Sequence, residues 1–445
     1  MATAIDGFGN AVTGASAAAR DHYAQALAEF QIYAGDPVAT VDRAIADSPG
    51  FVMAHALRAW LHLLGTEPTG VPVARESLAA AVALPAATAQ ERGHLAAIAH
   101  LVEGDWMTAS RVMEDVAVEH PRDALALQAG HQIDFFTGNA RMLRDRIARA
   151  RPAWSQDMPG YHAILSMLAF GLEETGDYVR AESVGRRAVE LEPRDGWGQH
   201  AVAHVLEMQN RTADGITWMR ANPDAWSGDS FFAVHNWWHL ALYYLDRGEL
   251  AEVLALYDGP MKGGASHVVL DLVDATALLW RLHLRGVDVG ARWQAVADGW
   301  GAVGGAGNYA FNDWHAAMAH SGAGRPDAVG ALLETACRAA AGAGDNAVFT
   351  GDVGLPLIRA VQAFGCGDYA KAARMIRGVR EFAHRFGGSH AQRDLVDLTL
   401  IEAAMRAGDA ALATALAAER AAARPHSPLS LGFTRKAEAL RLRVA

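Results

Sequence analysis

A chain of 445 residues with 50 acidic and 39 basic side chains carries a formal net charge of −11. That balance excludes broad binding along a nucleic-acid backbone, which needs a concentrated basic surface to displace counterions. Two cysteines, Cys337 and Cys366, exclude a disulfide framework and a cysteine-rich metal site, and although 51% of the residues are apolar no stretch of 18 uncharged apolar residues occurs, so no membrane span is expected.

Taken from the start, Met1-Ala-Thr-Ala-Ile-Asp6 lacks the basic flank and apolar run of a secretory leader, which predicts a soluble cytoplasmic protein. Abundant Ala and a scarcity of β-branched runs favour helices throughout. Turn signals then recur: Gly35-Asp36, Gly104-Asp105, Gly138-Asn139, Gly176-Asp177, Gly248-Glu249, Gly367-Asp368 and Gly408-Asp409. Their gaps are one or two multiples of about 34 to 43 residues, and weaker signals near Gly70, Asn210, Gly286 and Gly324 fill the double gaps. The expectation is an all-α, tetratricopeptide-like α-solenoid, a superhelix of about eleven helix-turn-helix repeats. We read residues 1–445 as one domain, irregular over 1–90 and regular over 91–445, with a His-rich groove in the regular part.

Two units show the pattern best. Gln90 to Pro121 has Gly104, Trp106 and Ala109 around its turn, and Tyr161 to Pro193 has Gly176 and Tyr178 there, with Ala181 and Ala188 where the second helix must approach its neighbours closely. Between them, the basic run Arg141 to Arg151 reads as the solvated face of one helix. Further on, Asn222 to Asp229 is longer than a standard inter-repeat turn, Gly299 to Gly307 is glycine-rich enough for a mobile loop, and Ala339 to Gly354 precedes a helix opened by Leu355-Pro356.

The polar residues gather in the middle of the chain. His200-Ala-Val-Ala-His204 and His235-Asn-Trp-Trp-His239 are histidine pairs four residues apart, one repeat from each other, so each pair shares a helix face. Glu207 extends the first face, Trp238 is a candidate groove aromatic, His94 holds the matching position of an earlier repeat, and Asp271, Asp274, Asp313 and His315 follow on later first helices. Three readings stand side by side. These side chains are satisfied core groups bonded to carboxylates and backbone; or they hold a transition metal, zinc or iron, with ligands from His200, His204, His235, His239 and His315 and from Glu207, Asp274 or Asp313; or they form a metal-free pocket for a small anion. For the third, Gly387-Gly-Ser-His-Ala-Gln-Arg-Asp394 reads as a turn, an N-cap at Ser389 and a helix start, where backbone N–H groups and Arg393 can face the anion. Position 201 is Ala, so the general-base Glu of a H-E-x-x-H protease is absent, and no nucleophile elbow, P-loop or dinucleotide fingerprint occurs.

From His94 onward the chain resembles the tetratricopeptide repeat protein 38 family. The resemblance rests on Glu91-Arg-Gly-His94, His131, His200-x-x-x-His204 leading to Glu207-Met208, His235-Asn-x-Trp-His239, Phe311-Asn-Asp-x-His315, Asp352-Val-Gly-Leu-Pro-Leu357, Gly387-Gly-Ser-x-Ala-Gln-Arg-Asp394 and Ser427-Pro-Leu429, in order over about four fifths of the chain. It implies a helical-repeat fold and a set of polar positions, adding His131 and Asn312 to the candidate ligand-binding residues His94, Trp238 and Arg393. It brings no activity or cofactor with it. Two positions depart from the pattern: His390 stands where Asn is usual and Trp314 where a small residue is usual.

The reading ranked first is a groove that binds a small ligand or a transition metal through its His/Asp/Glu cluster. The alternative is a metal-dependent hydrolase or lyase with Glu207 or Asp313 as general base. A protein-interaction scaffold is the third class, disfavoured because the groove positions carry His, Asp, Glu and Trp where a clamp for a peptide carboxylate needs cations.

Overall fold

The turn glycines do two jobs within two residues. In a computed structural model that describes residues 3–84 and 88–444, Gly104, Gly138, Gly176, Gly248, Gly367 and Gly408 all take positive φ, between 65° and 85°. The N–H of the next residue then reaches back to the carbonyl five residues before it, at 2.8 to 3.0 Å, as in Asp177 to Leu172 and Asp409 to Ala404. This is the Schellman closure of a helix, and it needs a residue without a Cβ at the left-handed position. Asn139, Asp177, Asp368 and Asp409 accept a backbone N–H three residues on, so the same dipeptide that ends one helix caps the next.

Repeated along the chain, this device gives eleven successive helix-turn-helix pairs among the described residues, from Ala17–Ile32 with Pro37–Asp47 to His390–Arg406 with Ala410–Ala423, followed by Pro428–Val444. The fold is an all-α, tetratricopeptide-like solenoid. Its strands are a small antiparallel hairpin, Thr3–Ile5 against Ala11–Thr13. Ala181 and Ala188 are wholly buried, as close helix packing requires. Asn210, Gly286 and Gly324 supply the positive φ at the weaker turns, whereas the turn before Gly70 is made by Thr66 at φ 59° and Gly70 opens the next helix. Met1 and Ala2 of the amino-terminal stretch lie outside the described residues.

The chain divides into two compact units, Met1–Val202 with Asn222–Ala233, and Ala203–Ala221 with Val234–Ala445. In the first, the long connection at 222–233 contains a short helix, Pro223–Ser227, and then pairs with Tyr33: Phe231 N–H donates to the Tyr33 carbonyl at 3.0 Å. The basic run on helix Ala140–Ala150 is only partly a solvated face. Arg141 and Arg149 are solvent-accessible, but Arg146 is buried, its Nε and Nη2 donating to Asp134 at 2.8 and 3.1 Å and Nη2 also to Ser110.

In the second unit, the glycine-rich stretch 299–307 is mostly helix. Arg292–Val303 runs through it because Trp300 is buried and its Nε1 donates to Thr276 Oγ1 at 2.9 Å, which leaves the loop only from Gly304. The later glycine-rich stretch also folds, into helix Asp345–Phe349 and a π-helical turn Thr350–Gly354 that continues into Leu355–Gly365. Pro356 has no N–H to donate, and a wider turn just before it accommodates that loss.

Candidate functional site

The second histidine of the first pair and both of the second pair belong to the second unit. His204 comes from helix Gly196–Met208 and His235 and His239 from helix Ala233–Arg247. One ring nitrogen from each lies within 4.8 Å of those from the other two. The ring centres of His204 and His239 are 4.5 Å apart, and those of His235 and His239 4.9 Å. Helical spacing fixes this: residues 235 and 239 share a face, and 204 stands on the neighbouring first helix.

Carboxylates orient two of the three rings. Asp274, on helix Val269–Leu284, accepts from His235 Nδ1 at 2.8 Å, and Glu207 accepts from His239 Nδ1 at 3.2 Å. A carboxylate can only accept, so Nδ1 is the donor in each pair. Burial pushes the His204 and His239 imidazoles well below their ordinary range, with the neighbouring imidazoles adding to it, so both are neutral bases. Buried neutral rings held by carboxylates on Nδ1 are the arrangement that metal-binding histidines adopt.

The cluster continues through Glu207. Its Oε1 lies 3.8 Å from Arg424 Nη1, and the Arg281 guanidinium sits 5.2 Å over the ring of Trp238, which itself stacks on His235 with centres 5.4 Å apart. Arg281 Nη2 donates to the Ala391 carbonyl at 2.7 Å, Trp280 Nε1 to Thr399 Oγ1 at 3.0 Å, and Arg420 pairs with Asp394 through two bonds of 2.7 and 3.0 Å. Helices His390–Arg406 and Ala410–Ala423 thus close over the polar face of the earlier first helices of this unit.

The remaining candidates of this unit have partners of their own. Asp313 accepts the Gly307 N–H on both oxygens at 3.0 Å, and burial pushes its carboxyl up to about 7. His315 packs between Phe311 and Trp314, donates from Nδ1 to the Phe311 carbonyl at 2.9 Å and is lowered to about 3 by burial. Asn312 is buried in the same first turn. Arg393 donates to the Gly388 carbonyl and does not line the cavity described below, while Ser389 and Gln392 form the predicted cap as a full capping box.

In the first unit, His94 is saturated: Nδ1 accepts from Trp60 Nε1 at 3.0 Å and Nε2 donates to Asp123 at 2.8 Å. Its motif partner Glu91 accepts from Thr13 N and Oγ1 at 2.7 and 2.8 Å, fastening the hairpin. His131 sits between Phe170 and Trp197, its ring lowered to about 3 by burial and then by Arg146. His200 packs against Phe170, Trp197 and Phe232, an aromatic setting unlike that of His204 one turn later.

Sequence reasoning missed Arg281, Arg285, Arg420 and Arg424, which line a cavity beside Glu207. The signal was present: 281 and 285, and 420 and 424, are spaced by four like the histidines.

No protein-family model matches the chain. Among solved structures it is similar to yeast Tom70, at 12% identity over 96% of this chain and 88% of that one, with a TM-score of 0.34. It is also similar to the TPR domain of P58(IPK), at 13% identity over 88% and 98% respectively, with a TM-score of 0.20. At those scores neither likeness carries a functional argument. Among the described residues, no helix is long and apolar enough to cross a membrane.

Proposed function

We propose that the second unit is a transition-metal site built on a helical-repeat scaffold, with His204, His235 and His239 as protein ligands and Glu207 and Asp274 as the groups that orient them. One observation carries this: the imidazoles of His204, His235 and His239 converge, and carboxylates hold His235 and His239 at Nδ1. Three nitrogens with carboxylates beside them suit zinc or iron(II), and leave a coordination position for water or a small ligand. Asp313 and Arg393 are outside this proposal. The hydrolase or lyase reading depends on the metal and gives Glu207 the general-base role, since Glu207, unlike Asp313, is bonded to one of the three imidazoles.

The repeat architecture itself favours a second reading, a protein-interaction scaffold, because stacked helical pairs present extended surfaces to partners. The two are compatible. We also propose membership of the tetratricopeptide repeat protein 38 family; its support is that Glu91, His94, His204, His239 and Ser389, all from the matching motifs, are buried.

Elemental analysis of untagged full-length protein, backed by zinc titration after chelation, tests the site. We expect about one metal per chain in the wild type, and binding weakened more than about 100-fold in His204→Ala and in His239→Ala, beyond what loss of an orienting group alone produces. Less than about a tenth of a metal per chain, with no saturable zinc binding after chelation, overturns the reading.

A further inference from the structure

A cavity of about 330 Å³ opens beside Glu207 in the second unit. Six cationic side chains line it against four acids, in a chain whose net charge is −11. Three of the acids are already committed, Asp394 to Arg420, Glu402 to Arg406 and Glu207 to His239, while Asp246 accepts the Ser427 hydroxyl on one oxygen and keeps its buried Oδ2 without a partner. Cationic donors are left over. Arg285 gives Nη1 to the Leu245 carbonyl at 2.6 Å, but its buried Nη2 has no acceptor, and neither has the buried Nε of Arg420. A buried donor without an acceptor costs about 1–3 kcal/mol, so such groups call for an occupant.

Arg285 and Arg424 each stand at a helix C-terminus, where the dipole favours a cation. That accounts for one positive charge at each helix end and not for orphaned donors converging on one space. Burial lowers both the Arg281 and Arg285 guanidinium groups to about 10, with Asp394 and Glu207 opposing that for Arg281 and Asp246 for Arg285. The rest of the wall is apolar, from Leu242, Leu284, Leu398 and Phe433, while Arg247 and Lys436 are exposed at the rim, placed to attract an anion.

We infer that this cavity binds a small organic anion, its carboxylate or phosphate-ester head held by Arg285, Arg420 and Arg424 and its apolar body against the leucines and Phe433. Guanidinium forks are suited to either head through paired charge-assisted hydrogen bonds. A volume of this size admits a ligand with an aromatic ring's worth of apolar body. The inference is independent of a metal at the triad, although Glu207 touches both places.

Calorimetric titration of chelator-treated full-length protein separates the two ideas, because an empty imidazole site leaves this result unchanged. The probes are phenyl phosphate and benzoate, which distinguish the head groups, with benzyl alcohol as the neutral body and inorganic phosphate as the bare head. We expect saturable binding of at least one organic anion, at about one per chain, and at least about 10-fold weaker binding of benzyl alcohol and of inorganic phosphate. Arg285→Gln and Arg424→Gln should each weaken it about 10-fold or more while the circular-dichroism melt stays cooperative. Failure of both anions to saturate overturns the inference, as does equal affinity for benzyl alcohol or for inorganic phosphate, or wild-type affinity in both variants.

Discussion

The two units are built from the same helical pairs and the same turns, yet they use buried polarity differently. In the first, His94 spends both ring nitrogens on Trp60 and Asp123, and Arg146 gives Nε and Nη2 to Asp134 and Ser110 while its buried Nη1 has no acceptor. In the second, three imidazoles bring ring nitrogens within 4.8 Å of one another, and Arg285 and Arg420 bring donors without acceptors to one cavity. A buried polar network that is closed on itself rigidifies a core, while one left open is expensive unless something completes it. The difference teaches that neither residue type nor a single unspent donor marks a site; the grouping of such donors around one cavity does.

The largest effect should come from breaking the buried Arg146–Asp134 pair. Asp134→Ala leaves the Arg146 guanidinium buried without its carboxylate, and loss of one partner of a buried pair costs about 3–5 kcal/mol. Urea denaturation should show that loss, while zinc titration and anion binding in the second unit stay at wild-type values in the folded protein. If the substitution also abolished zinc binding under fully native conditions, the two networks would not be separable as argued.

Asp313 sharpens the same comparison with a titration. Its folded carboxyl is raised from 3.8 to about 7, so the folded state holds a proton that the unfolded chain has released. Stability from this group is fully present below about pH 3.8 and is lost as the pH rises through about 7. Asp313→Asn keeps one acceptor for the Gly307 N–H and removes the titration, so at pH 8 it should raise the unfolding free energy by about 2–4 kcal/mol. The gain should shrink at pH 5. A gain of equal size at both pH values would show that the carboxyl is not raised by burial.

Much of the fold was legible because its signals are local. Gly176-Asp177 and its counterparts state both a helix end and a helix start in two adjacent residues, and neither depends on distant contacts. The histidine spacing was legible for the same reason, since residues four apart share a face wherever the helix goes. What the sequence left open was which face meets which. His200 and His204 look alike in the chain, and nothing in their spacing announces that His200 packs among Phe170, Trp197 and Phe232. Long-range closure was the least legible: the return of Ala391, Thr399 and Arg424 to the earlier helices spans more than a hundred residues and has no local signature. Gly299 and Gly301 misled because composition favoured a loop while the buried Trp300 anchors a helix.

A smaller effect should follow from loosening the orientation of one ring. Asp274→Asn retains an acceptor for His235 Nδ1 but withdraws the negative charge that fixes its tautomer and raises its basicity. Zinc affinity should fall about 10- to 100-fold, with the melt of the metal-free protein little changed. An unchanged affinity would place His235 outside the coordination set.

The smallest effect tests a residue singled out from sequence and placed elsewhere by the fold. Arg393 donates to the Gly388 carbonyl, five residues back, at a helix start already capped by Ser389 and Gln392. Its removal in Arg393→Ala takes away one turn-stabilising bond, worth about 1 kcal/mol, and no donor from the arginine-lined cavity. Affinity for phenyl phosphate or benzoate should therefore match the wild type, in contrast to the losses expected for Arg285→Gln and Arg424→Gln. A 10-fold loss in Arg393→Ala would move the anion site to the helix start at Ser389, where a backbone N–H cluster rather than a guanidinium lining would do the binding.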